Sequence, residues 1–373
     1  MFKARRSEGQ AYCSLSRRHL GDGASQAQDK LNSGPNICHL GRGSTAIAGI
    51  VVHSACLLAG RAALARSETM GILCKYSNVT DMKILRLLHF TALVLVALAI
   101  GHRSFGADRT PFFAMDTALR DGKSRSAAEQ AALLKALGFD GIGTSGFPSE
   151  QFLAAFENAG LRVFNTYLTL SFDSAKPGLD PMLKEFVPRL KGHNTALWIA
   201  IKGVTLDGEN LKPSSPLGDA VVVPLMRELA DLAQTNSVKI ALYPHARLWI
   251  ERVEDAIRVA GKVDRPNLGV TFNLCHWLKV EGSRNPKPLL AEAMPRLFFV
   301  SINGADSGDT KNMDWNRLIQ PLDSGTYDVA ALLKSLRDLG YKGPIGFQGY
   351  GIAGDSGEIL RHAMAGWRRI NAH

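Results

Sequence analysis

The sequence predicts an α/β fold, a (β/α)8 TIM barrel of eight parallel strands each followed by a helix. Three observations carry this reading. Between Pro111 and Ile370, eight apolar, β-rich runs alternate with eight amphipathic stretches over about 260 residues, the length of one such barrel. The runs are apolar nearly throughout, as strands covered on both faces of a parallel sheet must be. No Gly-rich phosphate loop follows the first run, which argues against the rival arrangement, a doubly wound nucleotide-binding sheet.

The units follow in order. PFFAMDT (111–117) is the first strand and SAAEQAALLKALG (126–138) its helix. GIGTSG (141–146) leads into SEQFLAAFENAG (149–160), and RVFNTYLTLSF (162–172) into DPMLKEFVPRLKG (180–192). TALWIAIKG (195–203) precedes the longest helical stretch, LGDAVVVPLMRELADLAQTN (217–236). KIALYPH (239–245) precedes RVEDAIRVAGKV (252–263). LGVTFNLCHW (268–277) reads as one buried strand that leaves the core with Asn273 and His276 at its exit, ahead of PKPLLAEAM (286–294). LFFVSINGAD (297–306) precedes DVAALLKSLRDLG (328–340). GPIGFQGYG (343–351) and SGEILRHAMAGWRRI (356–370) close the series.

Upstream the chain is different. Residues 1–81 show neither period and mix Gly, Ser, Arg and small residues, as a disordered or non-native extension would. Residues 82–107 have the three parts of a secretory signal. Lys83 and Arg86 form a basic start, Leu87 to Ile100 an apolar run broken only by His89 and Thr91, and Ser104, Gly106 and Ala107 a small-residue end. The run is short for a bilayer span. Such a signal ordinarily opens a chain, so Met82 is the expected start and residues 1–81 an expected mistranslated stretch. The barrel, 108–373, is then exported to the periplasm or medium with no stable membrane insertion. A disordered extension ahead of a membrane anchor is the alternative.

Charge and cysteine divide the chain at the same place. Of the +10 formal charge, residues 1–81 hold ten Lys/Arg against five Asp/Glu, and 82–107 hold three Lys/Arg and no acid. That leaves 31 against 29 for 108–373. A nearly neutral barrel has no phosphate-binding face, so nucleic acid is not an expected partner. Cys13, Cys38, Cys56 and Cys74 lie upstream, and Cys275 is alone among apolar neighbours, which fits a packed thiol and no zinc spacing.

A barrel of this kind keeps its active site at the carboxyl ends of the strands. The polar residues there are Asp116, Thr144, Ser145, Asn165, Tyr167, Lys202, Tyr243, His245, Asn273, His276, Asn303, Asp306, Gln348 and Tyr350. This ring is rich in amides, phenols and imidazoles and poor in carboxylates. Such groups suit hydrogen bonding to sugar hydroxyls. His245 and His276 titrate near neutrality and are candidate acids or bases. Lys202 can attack a carbonyl or hold an anionic group. Asn165 and Tyr167 are candidate hydroxyl contacts. Trp277 offers a face for sugar stacking or for core packing, while Trp198 and Trp249 read as packing.

GFDGIGTSG, IALYPH, NLGVTFNLCHW, FVSINGAD and GPIGFQGYG, in that order and spacing, resemble the xylose isomerase-like barrels. These form the sugar-phosphate isomerase/epimerase superfamily that also contains endonuclease IV. The resemblance covers residues 111–370. It implies a divalent metal held by a glutamate after the fifth strand, an aspartate in a D-x-x-H unit after the sixth, a histidine in an H-x-x-D unit after the seventh, and a glutamate on the eighth. The two glutamates also move the substrate proton in the epimerases. Carried onto this chain, those positions are Tyr243, Asn273, Asn303 and Gln348. His276 and Asp306 keep the second places of their units. Neutral amides and a phenol supply little of the charge that a hard cation needs, so no metal or other cofactor is expected. The four positions become candidate substrate contacts.

The resemblance therefore implies an exported isomerase/epimerase-like protein with a small-molecule carbohydrate as its partner. A non-catalytic carbohydrate-binding protein on the same barrel is the alternative. An abasic-site nuclease would need a multi-metal cluster of carboxylates and histidines, which this ring lacks.

Overall fold

The computed structural model describes residues 109–371; the expected extension and signal lie outside them. The strands are β1 (Phe112–Met115), β2 (Gly141–Ser145), β3 (Arg162–Asp173), β4 (Ala196–Leu206), a short β5 (Glu209–Asn210), β6 (Ile240–Leu242), β7 (Leu268–Asn273), β8 (Leu297–Ile302) and β9 (Ile345–Phe347). All but β5 pair in parallel with both neighbours, and the β3–β4 and β1–β9 pairings close the ring. β5 only adds an antiparallel edge to β4. Barrel strands five to eight are therefore β6 to β9, and the fold is the (β/α)8 barrel that the sequence predicts.

The helices form where local chemistry starts and stops them. In α1 (Ala127–Leu137) the Ser126 hydroxyl accepts from the Glu129 N–H while the Glu129 carboxylate accepts from the Ser126 N–H, two terminal donors satisfied reciprocally. Gly138 then ends the helix in the left-handed region, which lacks a steric penalty only for glycine. α2 (Glu150–Asn158) starts on Ser149, and α3 (Pro181–Arg189) on Asp180 with Pro181 at its first position. After them come α4 (Asp219–Thr235), α5 (Val253–Val263), α6 (Leu274–Glu281), α7 (Lys287–Ala293), α8 (Trp315–Leu318), α9 (Val329–Asp338) and α10 (Ser356–Ile370).

Two apolar clusters result. The larger lies between strands and helices; the smaller fills the barrel with Phe113, Phe164, Trp198, Tyr243 and Phe299. Following the strand register around the ring, inward side chains fall into layers drawn from alternate strands. A deep layer holds Phe113, Asn165, Ala241 and Phe299, and the next holds Gly143, Trp198, Thr271 and Gly346. Above them lie Met115, Tyr167, Tyr243 and Ser301, then Ser145, Ala200, Asn273 and Gln348 at the mouth. Glycine is needed twice here: a Cβ on Gly143 or Gly346 would stand 2.9 Å or 2.7 Å from the Phe113 ring.

Three features depart from the sequence reading. β7 stops at Asn273, and the apolar LCHW that follows is the first turn of α6. A continuous apolar run does not reveal whether it is strand or buried helix. β4 runs on to Leu206, beyond its expected end at Gly203, and pairs there with β3 as a ribbon above the mouth. α8 stands within the long connection between β8 and α9.

Candidate functional site

The floor of the mouth is built on Tyr243, which follows β6 and is 1% exposed. Its ring lies edge-on to Tyr167 at 5.2 Å and against Trp198 at 5.3 Å, and its hydroxyl reaches Ser301 and Gln348 across the barrel. The Ser301 hydroxyl donates to Asn273 Oδ1 at 2.9 Å. Gln348 Oε1 accepts from the Thr117 hydroxyl at 2.7 Å and from the Tyr350 N–H at 3.0 Å. Asn273 donates from Nδ2 to the Pro244 carbonyl at 3.1 Å and to Thr271 Oγ1 at 3.0 Å. Neutral polar groups of Gln348, Tyr243, Ser301 and Asn273 thus stand side by side across the mouth, with a hydrogen bond joining Ser301 to Asn273. Burial pushes the Tyr243 phenol well above its ordinary value, so it stays uncharged.

Two imidazoles stand beside this floor. His245 and His276 lie 3.9 Å apart between ring centroids, tilted by 38°. His245 Nδ1 is 2.8 Å from the Ala246 carbonyl. A carbonyl only accepts, so Nδ1 carries the proton and Nε2 carries the lone pair. His276, in the first turn of α6, is 7% exposed and meets Tyr243 at 5.7 Å and Trp315 at 5.6 Å edge-on. Burial lowers the basicity of both rings. It does so most for His276, where the neighbouring His245 adds a second, like-charge contribution. Both are neutral at pH 7.

The other candidates are distributed unevenly. Tyr167 shares the floor with Tyr243, and Lys202 is exposed on β4 at the rim. Asn303, fully buried after β8, donates to the Gly304 carbonyl at 2.8 Å and the Leu318 carbonyl at 2.6 Å, while its Oδ1 meets no protein donor. Asp116 accepts from Ser145 at 3.0 Å and Arg120 at 3.1 Å. Arg317 donates to Asp306 at 2.8 Å and holds its carboxyl below the usual range.

Two expected contacts lie elsewhere. Asn165 belongs to the deep layer, two residues below Tyr167 on β3, where the absent side chain of Gly143 makes room for it. Trp277 packs on Phe272 in the outer cluster and donates to the Arg284 carbonyl, because the first turn of α6 rotates it away from the mouth. Cys275 is buried, its thiol pushed up to about 12, an inert packing residue. Ser301, Thr117 and Trp315 were not singled out. Ser301 was legible as the inward position two before Asn303, whereas nothing local marks Trp315.

The donors at the four expected metal positions do not fit a hard divalent cation. Such a cation takes anionic or unengaged oxygens. Here the phenol is held neutral, and the oxygens of Asn273 and Gln348 already accept protein hydrogens. Only Asn303 Oδ1 remains. Among the described residues no three His, Cys, Asp or Glu side chains converge.

The 3-keto-D-glucoside 4-epimerase from E. coli matches the fold with a TM-score of 0.55 at 19% identity, covering 71% of this chain and 100% of that one. D-allulose 3-epimerase from Methylomonas sp. matches at 0.54 and 18%, covering 70% and 98%. L-ribulose 3-epimerase matches at 0.55 and 13%, covering 71% and 96%. No curated protein sequence matches. At these identities the likeness speaks for the fold. A family model described as the xylose isomerase-like TIM barrel matches residues 131–370. On that match, and on the closed eight-stranded ring that carries it, the chain belongs to the xylose isomerase-like TIM-barrel family.

Proposed function

We propose that this protein acts on a carbohydrate as an isomerase/epimerase-type enzyme, moving a substrate proton with His245 and His276 and without a tightly bound divalent metal. One observation carries the reading. Tyr243, Asn273 and Gln348 stand at three of the four expected ligand positions as neutral groups, the amide oxygens of the last two already accepting protein hydrogens, and two neutral imidazoles line the same mouth. Several of the fold neighbours are sugar epimerases by name, and two of those were solved with D-allulose or D-tagatose.

In the proposed step His245 Nε2 takes the proton from the carbon next to the substrate carbonyl. The resulting imidazolium, stacked against the neutral His276, returns the proton to the adjacent carbon of the enediolate while the hydroxyl proton passes between the two oxygens, which completes an isomerisation. Lys202 at the rim brings a cation toward the developing oxyanion. The export of the barrel belongs to the same proposal, supported by the three-part pattern of residues 82–107. N-terminal sequencing of exported protein, beginning near Asp108, checks it.

A second reading, a non-catalytic carbohydrate-binding protein, is favoured by the same satisfied neutral floor, which can hold hydroxyls with no proton transfer. Incubation with D-allulose, D-tagatose and a 3-keto-glucoside in D2O with excess chelator separates the two. Catalysis gives deuterium at the carbon next to the carbonyl, and His276→Gln and His245→Gln abolish it with the fold intact. Binding without exchange supports the second reading. Exchange that appears only on adding metal contradicts the first.

A further inference from the structure

His276 Nδ1 is buried and meets no hydrogen-bond partner in the protein. Its residue lines a small cavity of about 10 Å³, together with Asn273, Pro244, Trp277, Arg252 and Glu281. That is the room of one water molecule. An apolar cavity of this size stays dry, but this one borders an ion pair. Arg252 Nη2 donates to Glu281 Oε2 at 3.0 Å, and Arg252 Nε stands 2.6 Å from Glu281 Oε1. The second contact is off the line of the N–H. Nε and Oε1 are therefore both buried without an aligned hydrogen bond, like His276 Nδ1. Glu281 is fixed in place: it ends α6, its side chain is 7% exposed, and Arg284 holds it at 3.1 Å from the other side.

An unpartnered imidazole nitrogen and an ion pair with one bent contact thus belong to residues around one water-sized space, and a buried water makes about three hydrogen bonds. We propose that one ordered water fills this cavity and links His276 Nδ1 to Glu281, making Glu281 a positioning residue for the imidazole. The carboxylate only accepts, so the water gives it a proton. The water oxygen then accepts from Arg252 Nε–H and from His276 Nδ1–H. This fixes His276 with its proton on Nδ1 and its Nε2 lone pair available, as the Ala246 carbonyl does directly for His245. A partner on the far nitrogen sets which nitrogen works.

The catalytic meaning of this relay rests on the proposed role of His276, but the water and the tautomer do not. The full chain labelled with 15N-histidine is examined by long-range 1H–15N correlation, which distinguishes the two neutral tautomers; the signal absent in His276→Gln assigns the residue. The wild-type protein is expected to hold His276 in the Nδ1–H form. The double variant Arg252→Met with Glu281→Met removes both charges at once, so no lone charge stays buried. There His276 loses Nδ1–H as its majority form, and Glu281→Gln alone gives a mixture. A wild-type Nδ1 without a proton overturns the proposal, and that test needs no variant to fold. So does a tautomer unchanged in both variants. Failure of deuterium exchange with this tautomer present counts against the proposed function and not against the relay.

Discussion

Asn273→Asp installs the residue that the family resemblance expects, and the structure makes it a costly change. The Asn273 amide is 1% exposed and donates to the Pro244 carbonyl and to Thr271 Oγ1, while its oxygen accepts from Ser301. Aspartate keeps the Ser301 bond but turns an acceptor toward Pro244 and Thr271. Thr271 cannot answer, because its proton already goes to the Leu242 carbonyl. Losing the Thr271 bond costs about 1 kcal/mol, and leaving the buried Pro244 carbonyl unmet costs about 1–3 kcal/mol. A loss of about 3 kcal/mol lowers Tm by roughly 6–12 °C in a domain of this size. Differential scanning calorimetry at pH 7, with and without Mn2+ or Zn2+, measures it. Burial raises the pKa of the new carboxyl, so the variant is worst at high pH. Its gap to wild type narrows as pH falls and the protonated acid can donate to Pro244. An unchanged Tm, or one that a metal raises well above the wild-type response, refutes the reasoning.

Tyr243→Phe removes the buried hydroxyl that faces Gln348 and Ser301 and should cost about 1–3 kcal/mol in urea unfolding; equal stability contradicts a polar role for that hydroxyl in the floor. Gly143→Ala places a Cβ 2.5 Å from Asn165 Oδ1 and 2.9 Å from the Phe113 ring, an overpacking that costs about 1–3 kcal/mol by the same assay. Acid should destabilise the fold through the two histidines, whose basicity burial lowers. Below about pH 6.5 the unfolded chain takes protons that the folded one refuses, so stability falls with pH by at most about 1.4 kcal/mol per unit for each ring. A double variant with glutamine at both positions should flatten that slope between pH 7 and 5, and an unaltered slope would show that other groups dominate.

The barrel was legible because strand and helix periods differ and the apolar runs have strand length. The extension of β4 was not, since Thr205 and Leu206 give a strand signal no different from a loop's. The inward positions Tyr243, Asn273, Asn303 and Gln348 were readable from strand ends alone. What those side chains hold was not, because the partners are far away in sequence: Gln348 meets Thr117, and Asn273 meets Ser301. His276 was placed in the right region for an incomplete reason. It reaches the mouth from a helix turn, and the same turn carries Trp277 outward. Asn165 was assigned to the mouth from its β-rich run, but the register puts it two residues deeper. The Arg252–Glu281 pair had no local signal, since 29 residues separate the two.

The central claim is that a neutral hydrogen-bonded floor stands where a metal site is expected, and isothermal titration of the chelator-treated protein with Mn2+, Co2+ and Zn2+ tests it most directly. The expected result is no binding tighter than about millimolar at the barrel mouth, with Tyr243→Phe and Gln348→Ala leaving the titrations unchanged. One tightly bound metal per chain, weakened by Gln348→Ala or Asn303→Ala, would contradict the account.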